Sequence, residues 1–213
     1  ATSHLTGKKI NRFTHIHQSA EDLVKKVKML RMIAQQTGTC FQRCVGLDAI
    51  NALYTVTYEM DKELGTNYHQ KFIEYLKYMQ ENDIMAAGAM TDVKGDRSLS
   101  PSQQPDPDMF VHVVEKRDDG IVIRGAKAHM TGIINSHEMI IMPTGALRNE
   151  DADYAVACAV PVDAEGIIHI FGRQTNDSRR LENADIDLGN ARYGIVGGEA
   201  LTVLDNVFVP WDR

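Results

Sequence analysis

Cys40-Phe41-Gln42-Arg43-Cys44 is the sharpest chemical signal in the sequence. On a helix, cysteines four apart share one face with Cβ atoms roughly 5–6 Å apart, a spacing that lets two thiolates meet one metal centre. The same spacing also suits two cysteines packed in a core as small hydrophobes, so both readings stay open. An iron–sulfur cluster normally takes four protein ligands, and the other cysteine, Cys158, falls in a strand-like run far along the chain. His15 or His17 could join a zinc site, but no recognised ligand spacing links them to the cysteines. A second candidate is the polar turn from Met90 to Arg97, with Thr91, Asp92, Lys94, Asp96 and Arg97 followed by Ser98. Its hydroxyl, amide and guanidinium groups suit a polar ring edge or a pyrophosphate, and they equally suit an exposed connection. The third is Arg124 to Gly132, read as a turn leaving a strand, where His129, Thr131 and Gly132 offer donors to a planar heterocycle. Glu199, after Gly197-Gly198, is either a poised acid or base or the solvated end of a loop.

These residues need elements to hold them. Ser19-Ala20-Glu21-Asp22 is a helix-start signal that opens the apolar series Leu23, Val24, Val27, Leu30, Ile33 and Ala34. Lys25, Lys26 and Lys28 form its solvated face. A second helical run covers Cys40 to Leu64 and stops at Gly65, and a third spans about Tyr68 to Asn82, burying Phe72, Ile73, Leu76 and Met79. Alternation then takes over. Phe110–Val114 and Gly120–Gly125 flank the hairpin signal Asp118-Asp119-Gly120. Further strands are expected at Met139–Met142, Tyr154–Val160, Gly166–Phe171 and Ala200–Phe208, with a turn or bulge at Asp205-Asn206. The fold class is α+β: helices over 1–84, then an antiparallel β-barrel or sandwich over 85–213.

Composition narrows the function classes. Of 213 residues 43% are hydrophobic, with no apolar run of the ~18 residues that a membrane span requires. The net charge of −6 divides into +2 for residues 1–84 and −8 for the rest, which argues against nucleic acid as a partner. Three cysteines make no disulfide framework, so a reducing cytoplasm is expected. No Rossmann or Walker phosphate fingerprint is present. Beginning at Ala1 and stopping after a strand-like run, the chain reads as part of a longer polypeptide.

Taken together, Asn11-Arg12-Phe13-Thr14, the Cys40–Gly46 segment, Gly65–His69, Gly88–Asp92 with Lys94–Arg97, Arg124–His129, Asp185–Asn190 and Asp205–Pro210 resemble the 4-hydroxybutyryl-CoA dehydratase family. The last run and the Gly-x-Lys-x-His segment also resemble the wider acyl-CoA dehydrogenase and flavin-dependent hydroxylase superfamily. The resemblance implies a homotetramer holding FAD and a [4Fe–4S] cluster. Such an enzyme converts 4-hydroxybutyryl-CoA to crotonyl-CoA and water by a radical mechanism and isomerises vinylacetyl-CoA. It implies the acyl-CoA dehydrogenase-like fold, whose C-terminal helical bundle would follow this chain. By the same carry-over, Cys40 and Cys44 match two of the cluster's three cysteine ligands. The third cysteine and a histidine, also the proposed base, would lie beyond Arg213, and Cys158 would be structural. Met90–Leu99 and His129–Gly132 match FAD-binding segments, and Glu199 the active-site glutamate. A flavin-dependent aromatic hydroxylase of the same superfamily and a catalytically inert structural fragment are the alternatives.

Overall fold

The computed structural model describes residues 1–37, 44–172 and 199–213; for Thr37, Cys44, Val45, Leu47 and Gly172 only the backbone is described. Helix α1 (Ala20–Thr37) starts where the sequence places it. The Asp22 amide donates to Ser19 Oγ at 3.3 Å, and the Asp22 carboxylate accepts the Gln18 amide at 3.1 Å. The same carboxylate faces Arg12 and His15, and these contacts hold it down at about 2. The apolar series of α1 does not enter a core, since Leu23, Val24 and Val27 are each about half exposed. Lys26 departs from the solvated face expected of it: its ammonium pairs with Asp48 on the next helix and is largely covered.

Helix α2 (Cys44–Leu64) and helix α3 (Tyr68–Glu81) form a hairpin turned by Gly65 at φ +67°. Asp61 organises the turn, its two oxygens accepting the amides of Tyr68 and His69 and the Thr66 hydroxyl at 2.7–2.8 Å. On α3 the buried residues Phe72, Tyr75, Leu76 and Met79 recur at helical spacing.

Strands β1 (Ala86–Ala89), β4 (Glu138–Ile141) and β5 (Cys158–Pro161) make one sheet in the order β1-β4-β5. Strands β2 (His112–Lys116), β3 (Gly120–Thr131), β6 (Ile167–Gly172) and β7 (Glu199–Pro210) make a second, antiparallel sheet in the order β2-β3-β7-β6. The three-stranded sheet lies between the helices and the other sheet, and its alternation serves two cores. Ala86, Ile140 and Ala159 face Ile50, Phe72 and Leu76, whereas Ala87, Met139, Ile141, Cys158 and Val160 face Ile123, Leu204 and Val207. A strand buried on both faces reads as an unbroken apolar run, as Met139-Ile140-Ile141 does.

Two expectations are corrected here. Neither sheet closes into a barrel among the described residues, and β1 pairs with β4 in parallel, so the β part is not wholly antiparallel. The short Ala-Ala-Gly-Ala run of β1 carries no β-branched or aromatic residue, which is why its strand character is silent in the sequence. Among the described residues no helix is long and apolar enough to cross a membrane.

Candidate functional site

Strand β3 positions the candidate residues, and it does so through a bulge. Lys127 pairs with Thr202 and Met130 with Ala200, so Ala128 and His129 bulge out and His129 takes φ +56°. The freed Ala128 amide donates to the Thr91 carbonyl at 2.7 Å, and Asp92 bridges to Lys127. The segment from Arg124 to Thr131 is therefore a strand that captures the 90–92 loop, not the turn expected from its glycines. Gly125 sits within the strand because a Cβ there would lie 2.5 Å from the Phe110 carbonyl oxygen. Gly132, at φ +69°, ends the strand.

Lys127 points into the protein and is almost wholly buried. Its ammonium donates to Asp92 Oδ1 at 2.7 Å and to the carbonyls of Met142 and Met90 at 2.9 and 3.0 Å, using all three protons. The second Asp92 oxygen accepts the Thr144 hydroxyl at 2.9 Å. Burial pulls the Lys127 pKa down, and the Asp92 charge opposes that pull. Burial also pushes the neighbouring Cys158 thiol up to about 12, so it stays protonated and packs in the core.

The ion pair forms part of the lining of a cavity of about 290 Å³, with Lys94, Arg97, Phe110, Leu147 and Tyr154 around it. The loop bearing these two cations, Lys94 half-buried and Arg97 exposed, is braced from behind. Gln104, itself buried, accepts the Asp96 amide at 3.0 Å and donates to the Asp96 carbonyl at 2.7 Å. The Asp96 carboxylate takes the Ser98 amide and hydroxyl at 2.9 and 2.7 Å, which lowers its pKa. Asp96 Oδ1 and the Ser98 hydroxyl are thus engaged within the loop. The side chains of Lys94 and Arg97 make no ion pair or hydrogen bond with any described residue, so both charges are available to a ligand.

A second cluster closes the same strand. The Thr131 hydroxyl donates to Glu199 Oε1 at 3.2 Å, and His129 Nδ1 lies 3.3 Å from Glu199 Oε2. Thr131 and Glu199 are register partners across β3 and β7, which explains how residues 68 apart meet. Glu199 is half-exposed and His129 largely exposed, so a substrate could reach either. Met90 and Thr91 contribute backbone carbonyls to β3, while the Met90 side chain is exposed.

Cys40 lies outside the described residues, and Cys44 opens α2. Among the described residues no group of three or more His, Cys, Asp or Glu could hold a metal ion. His15 and His17 are 6.4 Å apart between ring centres, and His15 is turned to Asp22. Sequence reasoning missed the Lys127–Asp92 pair. The signal lay in parity, since Lys127 follows the inward-facing Gly125 by two residues on a strand.

A helical hairpin docked on a small sheet, with a four-stranded antiparallel sheet carrying the polar clusters, defines the class to which the sequence comparisons assign the chain. It belongs to the family described as 4-hydroxyphenylacetate 3-hydroxylase N terminal, whose profile matches residues 1–213. Within that family it is 62% identical over 212 residues to the 4-hydroxybutyryl-CoA dehydratase/vinylacetyl-CoA-Δ-isomerase of Clostridium aminobutyricum. That match covers 99% of this chain and 43% of the relative, so the chain spans less than half the relative's length. An oxygen-tolerant archaeal 4-hydroxybutyryl-CoA dehydratase from N. maritimus superposes with a TM-score of 0.92 at 53% identity, over 100% of this chain and 42% of that one. The FAD complex of the oxygenase component of 4-hydroxyphenylacetate 3-monooxygenase shares the fold, with a TM-score of 0.72 at 24% identity, over 98% of this chain and 42% of that one.

Proposed function

We propose that this chain is the flavin- and substrate-binding half of a 4-hydroxybutyryl-CoA dehydratase with vinylacetyl-CoA isomerase activity, working as a homotetramer in the cytoplasm. The observation that carries the reading is 62% identity sustained over 99% of the chain to an enzyme of that name. The dehydratase structure at 53% identity favours it over the aromatic hydroxylase reading, whose structural relative stands at 24%.

The residues fit FAD. Two cations that have no ion-pair partner among the described residues, Lys94 and Arg97, beside the aromatic walls of Phe110 and Tyr154 suit a phosphate-bearing planar cofactor. The cavity is large enough for part of a dinucleotide, and the His129–Thr131–Gly132 end of β3 would receive another part. Cys40 and Cys44 would supply two ligands of a [4Fe–4S] cluster, a reading that rests on the resemblance of the Cys40–Gly46 segment to the dehydratase family and with which their spacing is compatible. The same resemblance implies that the third cysteine and the histidine would lie in the part of the relatives that this chain does not cover.

When bound, FAD would supply one-electron chemistry and the cluster a Lewis acid for the leaving hydroxyl. The chain's own part is to orient and to handle a proton. Glu199, held by the Thr131 hydroxyl and facing His129, is placed to take or return one at a carboxylate oxygen. Lys94 and Arg97 would bind phosphate.

The test is the full-length protein purified without oxygen. Flavin absorbance together with iron and sulfide is expected, and Cys40→Ala or Cys44→Ala should remove most of the iron. Flavin without iron, or full iron in both variants, would overturn the cluster assignment.

A further inference from the structure

We propose that Lys127 is a positioning residue for the cofactor: its buried pair with Asp92 and Thr144 locks the cation-bearing loop onto the strand that carries His129 and Thr131. The proposal rests on the flavin reading given above and goes beyond it, because Lys127 offers no proton to a ligand. All three are committed inside the protein.

The geometry ties four segments at one point. Lys127 belongs to β3, Asp92 and the Met90 carbonyl to the loop after β1, Met142 and Thr144 to the segment after β4, and the Val111 amide donates to Asp92 Oδ1 at 3.4 Å just before β2. These segments supply most of the cavity wall. A buried ion pair contributes little to net stability compared with apolar residues of the same size, and its better-attested use is to enforce one arrangement among several. Here the arrangement concerned is the register between loop and strand. Lys94 is two residues from Asp92, and His129 is two residues from Lys127, so a slip at the pair moves both candidate ligand groups relative to each other. Removing the ammonium would leave Asp92 buried with the Thr144 hydroxyl and a long amide contact, and it would free the Met90 carbonyl of the loop and the Met142 carbonyl of the segment after β4 from their shared donor.

The experiment compares the full-length protein with its Lys127→Met, Thr144→Val and Tyr75→Phe variants, each stripped of flavin and titrated with FAD while fluorescence quenching and the visible flavin spectrum are recorded. Tyr75 lies on α3 away from the cavity and controls for stability loss alone. Lys127→Met is expected to weaken FAD binding about tenfold and alter the bound flavin's spectrum, the lower end of the cost of losing a group that supports a ligand's contacts. Thr144→Val should weaken binding about threefold with a loss of thermal stability no larger than that of Tyr75→Phe, and Tyr75→Phe should leave FAD affinity and spectrum unchanged. Unaltered affinity in Lys127→Met would overturn the proposal. Should that variant fail to fold, unaltered affinity in Thr144→Val overturns it instead. Wild-type protein that takes up no FAD would overturn the flavin reading itself, a result distinct from either.

Discussion

Replacing Gly46 with alanine tests the junction on which the helical half sits. Gly46 is buried on α2 where the helix crosses β1, and a Cβ there would lie 2.1 Å from the Ala86 carbonyl oxygen and 3.0 Å from its carbon. An ordinary contact begins at about 3.4 Å, so helix and strand must separate by roughly 1.3 Å. The obstruction is backbone on both sides, and no side chain can swing away. Ala49 and Ile50 on α2 pack against Ala86 in the same core, so the separation opens that core as well. Overpacking costs about 1–3 kcal/mol, and a backbone clash belongs at the upper end. Alanine is intrinsically better than glycine in a helix by about 1 kcal/mol, which works in the opposite direction. The net expectation is a loss of about 2 kcal/mol. Urea denaturation should then lower the midpoint by about 1 M at an m-value near 2 kcal/mol/M. A midpoint that stays put or rises would mean that propensity wins, and the close α2–β1 approach would be refuted.

Two further expectations concern buried carboxylates. Asp151, which is buried, accepts the Ser102 hydroxyl at 2.6 Å, the Ser102 amide at 3.0 Å and the Arg148 amide at 3.1 Å, contacts that hold it at about 2. Its folded pKa lies below the ordinary value of about 3.9. Its contribution is therefore fully present above pH ~4 and disappears as pH falls through about 2. Asp151→Asn should flatten the fall of the urea midpoint over that window, and an unchanged slope would contradict the assignment. Glu138 is buried under α3, taking the Tyr75 hydroxyl at 2.7 Å and a bidentate Arg213 at 3.1 and 3.2 Å. Tyr75→Phe removes a hydrogen bond to a charged group and should cost about 1.5–3 kcal/mol, and a loss below about 0.5 kcal/mol in calorimetry would show that Arg213 alone satisfies the carboxylate.

Periodicity carried much of the fold into the sequence. The α3 stripe, the Asp118-Asp119-Gly120 hairpin and the bulge at Asp205-Asn206, where Asn206 adopts φ +57°, follow from local pattern and turn chemistry. What escaped was set by tertiary contact. Helix α1 has a core-like stripe, yet Leu23, Val24 and Val27 face outward because nothing in the described residues covers them. The Arg124–Thr131 run looks like a turn because its glycines invite one, but cross-strand pairing with β7 overrides them. The meeting of Glu199 with Thr131 depends on strand register, and the Lys127–Asp92 pair on loop capture, neither of which a single sequence encodes locally. The cysteine spacing was the reverse case, plain in sequence, with Cys40 lying outside the described residues.

The proposed dehydratase and an oxygenase of the same family differ in the product they form and in their need for oxygen. The most direct measurement is anaerobic incubation of the full-length protein with 4-hydroxybutyryl-CoA, with the thioester products resolved by chromatography. Crotonyl-CoA should form without any added reductant or oxygen, and its formation should be lost in Glu199→Gln. No crotonyl-CoA from protein that carries its flavin and iron, or oxygen-dependent hydroxylation of a phenol by the same preparation, would contradict the dehydratase assignment.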